Sequence, residues 1–198
     1  MGERQHAAAP AGRRPRAKGA AAAGLGTAQV RDTFEETGRD RVRDGRQIGP
    51  GASAWQEISD LLGGNRVLGT AIENDLDAHA LLNRGLPRRA LTSLIEKLHD
   101  IPAGEASEAL GMSVRTLQRH KSAPDELLDV QQSGRAWKFA EILAKATRVL
   151  GSQEEAERWL KRPAIGLNQQ RPIDLLTTPA GVKLVEEYLG RLEYDVYT

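Results

Sequence analysis

The acidic and histidine side chains of the sequence offer little that could perform chemistry. Asp75, Asp77 and His79 lie together in the run DLDAH, which is the best candidate for a metal site. At helical spacing, however, Asp75 and His79 form a plain exposed pair one turn apart, and no further ligand cluster is near in sequence. His99 at a helix end is better explained as a group facing the helix dipole. Residues 24–27 (GLGT) lack the flanking strand and the full pattern of a phosphate loop. We therefore expect no enzyme, no metal and no cofactor.

The composition narrows the function classes further. The 198 residues include no cysteine, 28 lysines and arginines, and 27 aspartates and glutamates, for a formal net charge of +1. Without cysteine there is no disulfide framework, thiolate metal site or cysteine nucleophile. No apolar run approaches the roughly 20 residues that a membrane-spanning helix needs, so we expect no membrane contact and a cytoplasmic chain. Because the charges nearly balance, only a local basic region could argue for nucleic-acid binding.

Such a region lies in residues 102–121 (PAGEASEALGMSVRTLQRHK), which fit a helix-turn-helix. Gly111 stands where a sharp turn needs positive φ, and the Ser113 hydroxyl can cap the second helix. That helix would cover residues 114–121, with Leu117 packed inward. In a helix-turn-helix the second helix enters the major groove, where arginine and glutamine read guanine and adenine edges. The residues expected to point mostly outward are Arg115, Thr116, Gln118, Arg119, His120 and Lys121.

Two simpler interpretations of these residues stay open. An ordinary α-hairpin with a solvated basic face has the same helix-glycine-helix spacing. A domain of this kind can also persist as a dimerisation unit after losing DNA binding. Between Arg84 and Lys121, seven basic residues stand against four acidic ones, and five of the basic residues fall in the runs 84–89 and 115–119. This clustering favours contact with phosphates.

Residues 1–54 form a basic and polar front arm. Its first 25 residues carry five basic side chains and one acidic one, with Leu25 as the single large aliphatic residue. Such a stretch buries too little apolar surface to offset the entropy of ordering, so we expect disorder. The arm either touches DNA phosphates or is a merely solvated tail.

From Trp55 onward the apolar spacing is helical almost everywhere, which predicts an all-α fold. Helices are expected at residues 55–62, at residues 71–82 and from Pro87 onward. No segment shows the period-two alternation of a strand, and no internal repeat is found.

The C-terminal part is predicted as a separate helical unit that follows Gly134, which should break the preceding connection. Residues 135–150 carry an apolar stripe, and SQEE at 152–155 is a capping box that opens the next helix. The tryptophans of these two helices, Trp137 and Trp159, are expected in the core.

The last helix is predicted to start at Pro179 and to give way after Leu192 to an exposed tail, residues 193–198. Tyr194 and Tyr197 lie where little chain remains to cover them. Because tyrosine combines a large apolar area with a hydrogen-bonding tip, contact with a partner is one interpretation and core packing the other.

Together these segments resemble a known family, the antitoxins of the Xre/MbcA/ParS type that accompany RES-domain toxins. The similarity covers roughly residues 55–198, and its C-terminal segments are the most specific. The matching segments are 58–64 (ISDLLGG), 85–91 (GLPRRAL), 110–119 (LGMSVRTLQR), 135–146 (RAWKFAEILAKA), 156–160 (AERWL) with Pro163, 172–177 (PIDLLT), Gly181, 189–192 (LGRL), Glu193 and Tyr197.

The resemblance implies two activities. A helix-turn-helix half would dimerise and bind operator DNA, which represses the antitoxin's own operon. A C-terminal half would pack on a RES-domain toxin that consumes NAD, and its end would cover the toxin's active-site cleft. By position, the DNA-facing residues would be Ser113, Arg115, Thr116, Gln118 and Arg119, with Lys121 at the rim, and the toxin-facing residues Arg191, Glu193, Tyr194 and Tyr197.

The chain departs from the family pattern at three positions. Gln169 and Gln170 stand where the family often has glycines, and Asp195 stands where a glycine precedes the final tyrosine pair. The resulting prediction divides the chain into the arm (1–54), a helix-turn-helix and dimerisation domain (55–133) and a toxin-binding domain (134–198). The alternative is a stand-alone helix-turn-helix transcriptional regulator without a toxin partner.

Overall fold

The computed structural model describes residues 52–196, with the side chains of residues 53–194. The described residues form ten α-helices and one short 3-10 turn and contain no β-strand, which confirms the all-α prediction. The helices are α1 (Ala52–Leu61), α2 (Gly64–Leu68), α3 (Asp75–Arg84), α4 (Arg88–Glu96), α5 (Ala103–Ala109), α6 (Val114–Lys121), α7 (Val130–Leu150), α8 (Gln153–Lys161), α9 (Pro172–Leu175) and α10 (Pro179–Val196), with the 3-10 turn Ile165–Leu167 between α8 and α9. The predicted front arm lies outside the described residues except for its last three, which belong to α1.

The helix-turn-helix forms as the sequence predicts. Helices α5 and α6 are joined by a turn in which Gly111 has a φ of 67°. The Ser113 hydroxyl caps α6 by accepting from the Thr116 amide at 3.1 Å. A side chain at Gly111 would also collide with the guanidinium of Arg135, since an added Cβ would lie 1.7 Å from its Nη1. Glycine is therefore favoured at this turn by its backbone conformation, and a side chain there would also displace the flexible end of Arg135.

The prediction that Gly134 breaks the chain was wrong, because α7 runs through it. The helix starts earlier, where the Asp129 carboxylate accepts from the Gln132 amide at 2.7 Å. A glycine inside a helix costs only about 1 kcal/mol relative to alanine. Burial outweighs that cost, since Trp137, Phe139 and Leu143 lie in the core. The N-terminal and C-terminal parts of the described chain therefore share one continuous helix.

The helix predicted for residues 71–82 lies further along the chain. It starts only after Asn74, whose side chain accepts from the amides of Leu76 and Asp77 at 2.9 and 3.0 Å. The sequence analysis also missed α2, which begins at Gly64. Capping by the Asn74 side chain explains why α3 starts later than predicted.

Helix α7 is the centre of the core. It packs against α1, α3, α4, α8 and α10. Trp137 on α7 meets Trp55 on α1 with ring centroids 6.1 Å apart, which confirms Trp137 as a core residue. None of the described helices is both long and apolar enough to cross a membrane.

A buried carboxylate ties α8 to the segment that leads into α5. Glu157 is fully buried, and its oxygens accept from the backbone amides of His99 at 2.9 Å, Asp100 at 2.6 Å and Ile101 at 3.1 Å. The side chain of Gln153 adds a fourth bond at 2.7 Å. Because a buried charge must be fully hydrogen-bonded, this arrangement fixes the entry to the helix-turn-helix relative to α8.

The prediction that the last helix gives way after Leu192 was also wrong, although Glu193 and Tyr194 are exposed as predicted. Helix α10 continues through Glu193 to Val196. No glycine or proline follows Gly190, and leucine, arginine and glutamate are good helix formers, so nothing stops the helix at Leu192. Tyr197 and Thr198 lie outside the described residues.

Candidate functional site

The exposed face of α6 is one of two candidate surfaces. The side chains of Arg115, Gln118 and Arg119 are exposed, and with Thr116 and Ser122 they line one shallow polar depression. Leu117, on the opposite side, is buried against the core. The structure thus brings together four of the six residues that the sequence predicts to face DNA.

The basic residues around this helix differ in whether they form ion pairs within residues 52–196. Arg115 and Arg119 have no ion-pair partner there, whereas three nearby cations do. Arg88 pairs with Glu126 at 2.5 Å, Arg89 with Asp125 at 3.0 Å and Lys121 with Glu96 at 3.6 Å. The basic run 84–89 is thus largely neutralised by the segment before α7. Arg115 and Arg119 therefore leave exposed positive charge on α6 itself.

Ser113 and Thr116 hold the start of α6 rather than project from it. Their hydroxyl oxygens lie 3.0 Å apart, and Ser113 also accepts the Thr116 amide. Capping of this kind presents the first turn in a fixed orientation. A direct contact of either hydroxyl with DNA stays a prediction.

His120 is buried, contrary to the expectation that it points mostly outward. It is 3% exposed, and neither ring nitrogen has a hydrogen-bond partner among the described residues. Desolvation, aided by the charges of Arg88 and Arg119, lowers the pKa of His120 below its ordinary value of 6.5. The ring is therefore held neutral, and it anchors the end of α6 in the core.

The second candidate surface is an aromatic stack on the C-terminal part. The rings of Trp159 on α8 and Tyr188 on α10 stack with centroids 6.0 Å apart and an interplanar angle of 28°. The guanidinium of Arg191 lies over the Tyr188 ring, 5.4 Å from its centroid. Trp159 is half-buried, so it borders the surface instead of lying wholly in the core as predicted. We call Trp159, Tyr188 and Arg191 the aromatic ridge.

The predicted toxin-facing residues lie close in sequence to this ridge. Arg191 is part of it. Glu193 is exposed and makes a long ion pair of 3.9 Å with Lys145 of α7. Tyr194 is 79% exposed near the end of α10. The sequence reading missed Tyr188, although its spacing of three residues from Arg191 on a helix could have indicated the pair.

The backbone explains one of the departures from the family pattern. Gln169 has a φ of 62°, in the left-handed region that glycine adopts most easily, and Asn168 before it has a φ of 55°. Gln170 has no such conformation. The family glycine at position 169 therefore matches a backbone requirement that this chain meets with glutamine.

Comparisons with known proteins match both regions. Residues 77–141 match the family model of the antitoxin Xre-like helix-turn-helix domain, and residues 145–194 match that of the antitoxin Xre/MbcA/ParS C-terminal toxin-binding domain. Antitoxin Xre of Pseudomonas putida is 30% identical over 118 residues, which are 60% of this chain and 72% of that protein. The chain belongs to the Xre antitoxin family.

Two further relatives of this Xre-family antitoxin agree with that assignment. Antitoxin Xre of Photorhabdus laumondii is 25% identical over 135 residues, covering 66% of this chain and 88% of the relative. Antitoxin Xre of Yersinia enterocolitica is 29% identical over 109 residues, covering 53% and 73%. The α6 surface lies within the helix-turn-helix match and the aromatic ridge within the toxin-binding match.

Proposed function

We propose that this Xre-family antitoxin neutralises a cognate RES-domain toxin by covering its active-site cleft, and represses its own operon by binding operator DNA. The observation that carries the proposal is the match of residues 145–194 to a toxin-binding domain, which ends on the exposed turn of α10. The toxin would consume NAD, so occlusion of its cleft would protect the NAD pool. The antitoxin itself would act in the cytoplasm, without catalytic activity or cofactor.

The end of α10 is suited to occlusion of a cleft. Because the helix continues to Val196, the inserted element would be a helical turn followed by the last two residues, instead of a wholly extended tail. Tyr194 would enter the cleft, and the Arg191 guanidinium, three residues earlier on α10, could pair with carboxylates or phosphate-like groups on the toxin surface beside the cleft. Glu193 and Tyr197 stay predicted contacts.

The α6 surface supports the DNA-binding half of the proposal. Arg115 and Arg119 are exposed cations without an ion-pair partner in residues 52–196, and Gln118 lies between them in sequence. Arginine pairs with guanine and glutamine with adenine through two hydrogen bonds each in the major groove. A homodimer would place two such helices on the half-sites of a palindromic operator.

We retain the predicted division of the chain as part of the proposal. Residues 1–54 would be an arm, residues 55–133 the helix-turn-helix and dimerisation domain, and residues 134–198 the toxin-binding domain. Because α7 crosses the second boundary, the two functions would be joined rigidly by one helix.

Co-purification tests the proposal directly. The full chain, tagged, is co-expressed with the product of the adjacent toxin-sized reading frame. A stable complex that also shifts the operon's promoter fragment is the expected result. Promoter binding without any complex, or the absence of a neighbouring toxin gene, would instead favour the stand-alone regulator. Its support is the same unpaired α6 surface.

A further inference from the structure

Ile165 is an exposed apolar side chain that the core does not explain. It opens the 3-10 turn after α8 and is 84% exposed, more than any other large hydrophobic residue described. Burying an isoleucine fully is worth about 1.5–3 kcal/mol. Leu167, two residues later, is buried and holds the turn against the protein. The fold therefore turns one side chain of this segment inward and leaves the other in water.

The segment that presents Ile165 is held in a fixed shape. The Ala164 amide donates to the Gln170 carbonyl, and the Gln169 amide donates to the Ala164 carbonyl, both at 3.0 Å. Within this closed loop Asn168 and Gln169 are both left-handed. Asparagine adopts this conformation readily, whereas for glutamine it costs about 1–2 kcal/mol, and strain of this kind is concentrated at binding sites.

Ile165 is continuous with the aromatic ridge. Its neighbour Gly166 lies against the ring of Tyr188, so closely that an added Cβ would be 2.4 Å from Cε2. Tyr188 in turn contacts Trp159 and Arg191. The turn that presents Ile165 therefore packs directly on the aromatic ridge of α8 and α10, and both Ile165 and the ridge lie inside the toxin-binding match.

The charges around Ile165 indicate the chemistry of its partner. Arg162, three residues before it, and Arg191 are exposed and have no ion-pair partner within residues 52–196. Tryptophan, tyrosine and arginine are the residue types that dominate binding energy at protein interfaces. The surface would suit an apolar pocket with an acidic rim.

We propose that Ile165 is an anchor that inserts into an apolar, acid-rimmed pocket on the toxin, outside the active-site cleft that the end of α10 covers. This inference rests on the proposed function, since the toxin is its one occupant. The ridge beside Ile165 would lie flat on the toxin surface and orient α10 towards the cleft. Affinity would then come from the ridge and the isoleucine together, and inhibition from the helix end.

Paired substitutions of two exposed aliphatic residues test the anchor. Ile165→Glu is compared with Leu76→Glu, because Leu76 on α3 is 78% exposed and lies outside the toxin-binding match. Binding of each full chain to the purified product of the toxin reading frame is measured by calorimetry. Ile165→Glu should weaken binding by about tenfold or more and Leu76→Glu by less than about twofold. Promoter binding should be unchanged in both, which also reports correct folding.

Each other outcome overturns a specific statement. Equal affinity of Ile165→Glu and wild type, with the wild-type complex intact, would overturn the anchor alone. No complex with wild type would overturn the proposed function, and the anchor with it. If Ile165→Glu changes the sedimentation of the antitoxin alone and leaves toxin affinity unchanged, a second copy of the chain occupies the surface instead. Ile165→Ser, which adds no charge, repeats the test should the glutamate variant fail to fold.

Discussion

The α6 surface and the aromatic ridge lie on one folded unit but differ in the chemistry of their exposed side chains. On α6, arginines and glutamine line a polar depression that contains no large apolar side chain. On the ridge, the stacked rings of Trp159 and Tyr188 contact the Arg191 guanidinium, and the exposed Ile165 lies in the turn that packs against Tyr188. The first composition suits a polyanion read by charge and hydrogen bonds, and the second suits a protein partner that removes apolar surface from water. The difference predicts two functions that can be broken separately.

The largest expected effect is on the affinity for promoter DNA. Arg115→Ala combined with Arg119→Ala should weaken promoter binding by about 100-fold, because each guanidinium loses its contact with a base or phosphate. The salt dependence of binding should also become shallower by about two charges. Gel shifts at several salt concentrations measure both quantities.

A matched control removes the same charge elsewhere. Arg89→Ala with Arg148→Ala deletes two exposed arginines that are already paired, with Asp125 and Glu57. That variant should bind the promoter nearly as wild type does. A loss equal to that of the α6 variant would mean that net charge, and not the α6 surface, determines binding.

The next effect is on the helix end. Deleting residues 194–198 should leave the fold intact, since Leu189 is the last buried residue of α10 among its described side chains. Neutralisation should fall by at least about tenfold, as expected for the loss of interface tyrosines. A titration of the truncated chain against toxin activity measures it. Full protection by the truncated chain would contradict the occlusion mechanism, whereas retained promoter binding is required as its control.

A smaller effect should appear where the two regions meet. Glu157→Gln removes the charge that three backbone amides and one side chain bond, and we expect a loss of about 1–2 kcal/mol in unfolding free energy. Denaturant unfolding measures the loss, with Glu73→Gln on the exposed surface as the control. Unchanged stability would show that Glu157 does not hold the two regions together.

The smallest effect is on pH dependence. In the unfolded chain His120 takes up a proton near pH 6.5, whereas burial keeps it neutral to lower pH in the folded protein. The unfolded state therefore binds more protons as pH falls, and stability should decrease as the pH drops below 6.5. His120→Gln should flatten this part of the stability profile in thermal unfolding. An identical profile in the variant would assign the pH dependence to other groups.

Sequence reasoning predicted the local features and missed those that depend on tertiary contacts. Gly111 and Ser113 determine the turn and the cap of the helix-turn-helix within a few residues, so their positions were predictable. Gly134 looked like a break because the burial of α7, which keeps the helix intact through it, depends on distant segments that the local sequence does not show. Glu157 bonds amides 56 to 58 residues away, and no local pattern announces it.

The candidate surfaces divide in the same way. The α6 residues follow from helical spacing after a cap, and four of them line one depression. Lys121 and the run 84–89 could not be judged from sequence, since their acidic partners lie in other segments. No local pattern singles out Ile165, because only the packing of Gly166 against Tyr188 joins it to the ridge.

The most direct test of the central claim is the cellular NAD concentration during toxin expression. The neighbouring toxin gene is induced alone, with the wild-type antitoxin, or with the variant that carries both Arg115→Ala and Arg119→Ala. Toxin alone should deplete NAD, whereas wild type and the α6 variant should both keep it at the level of uninduced cells. Depletion that proceeds equally with the wild-type antitoxin present would contradict the account.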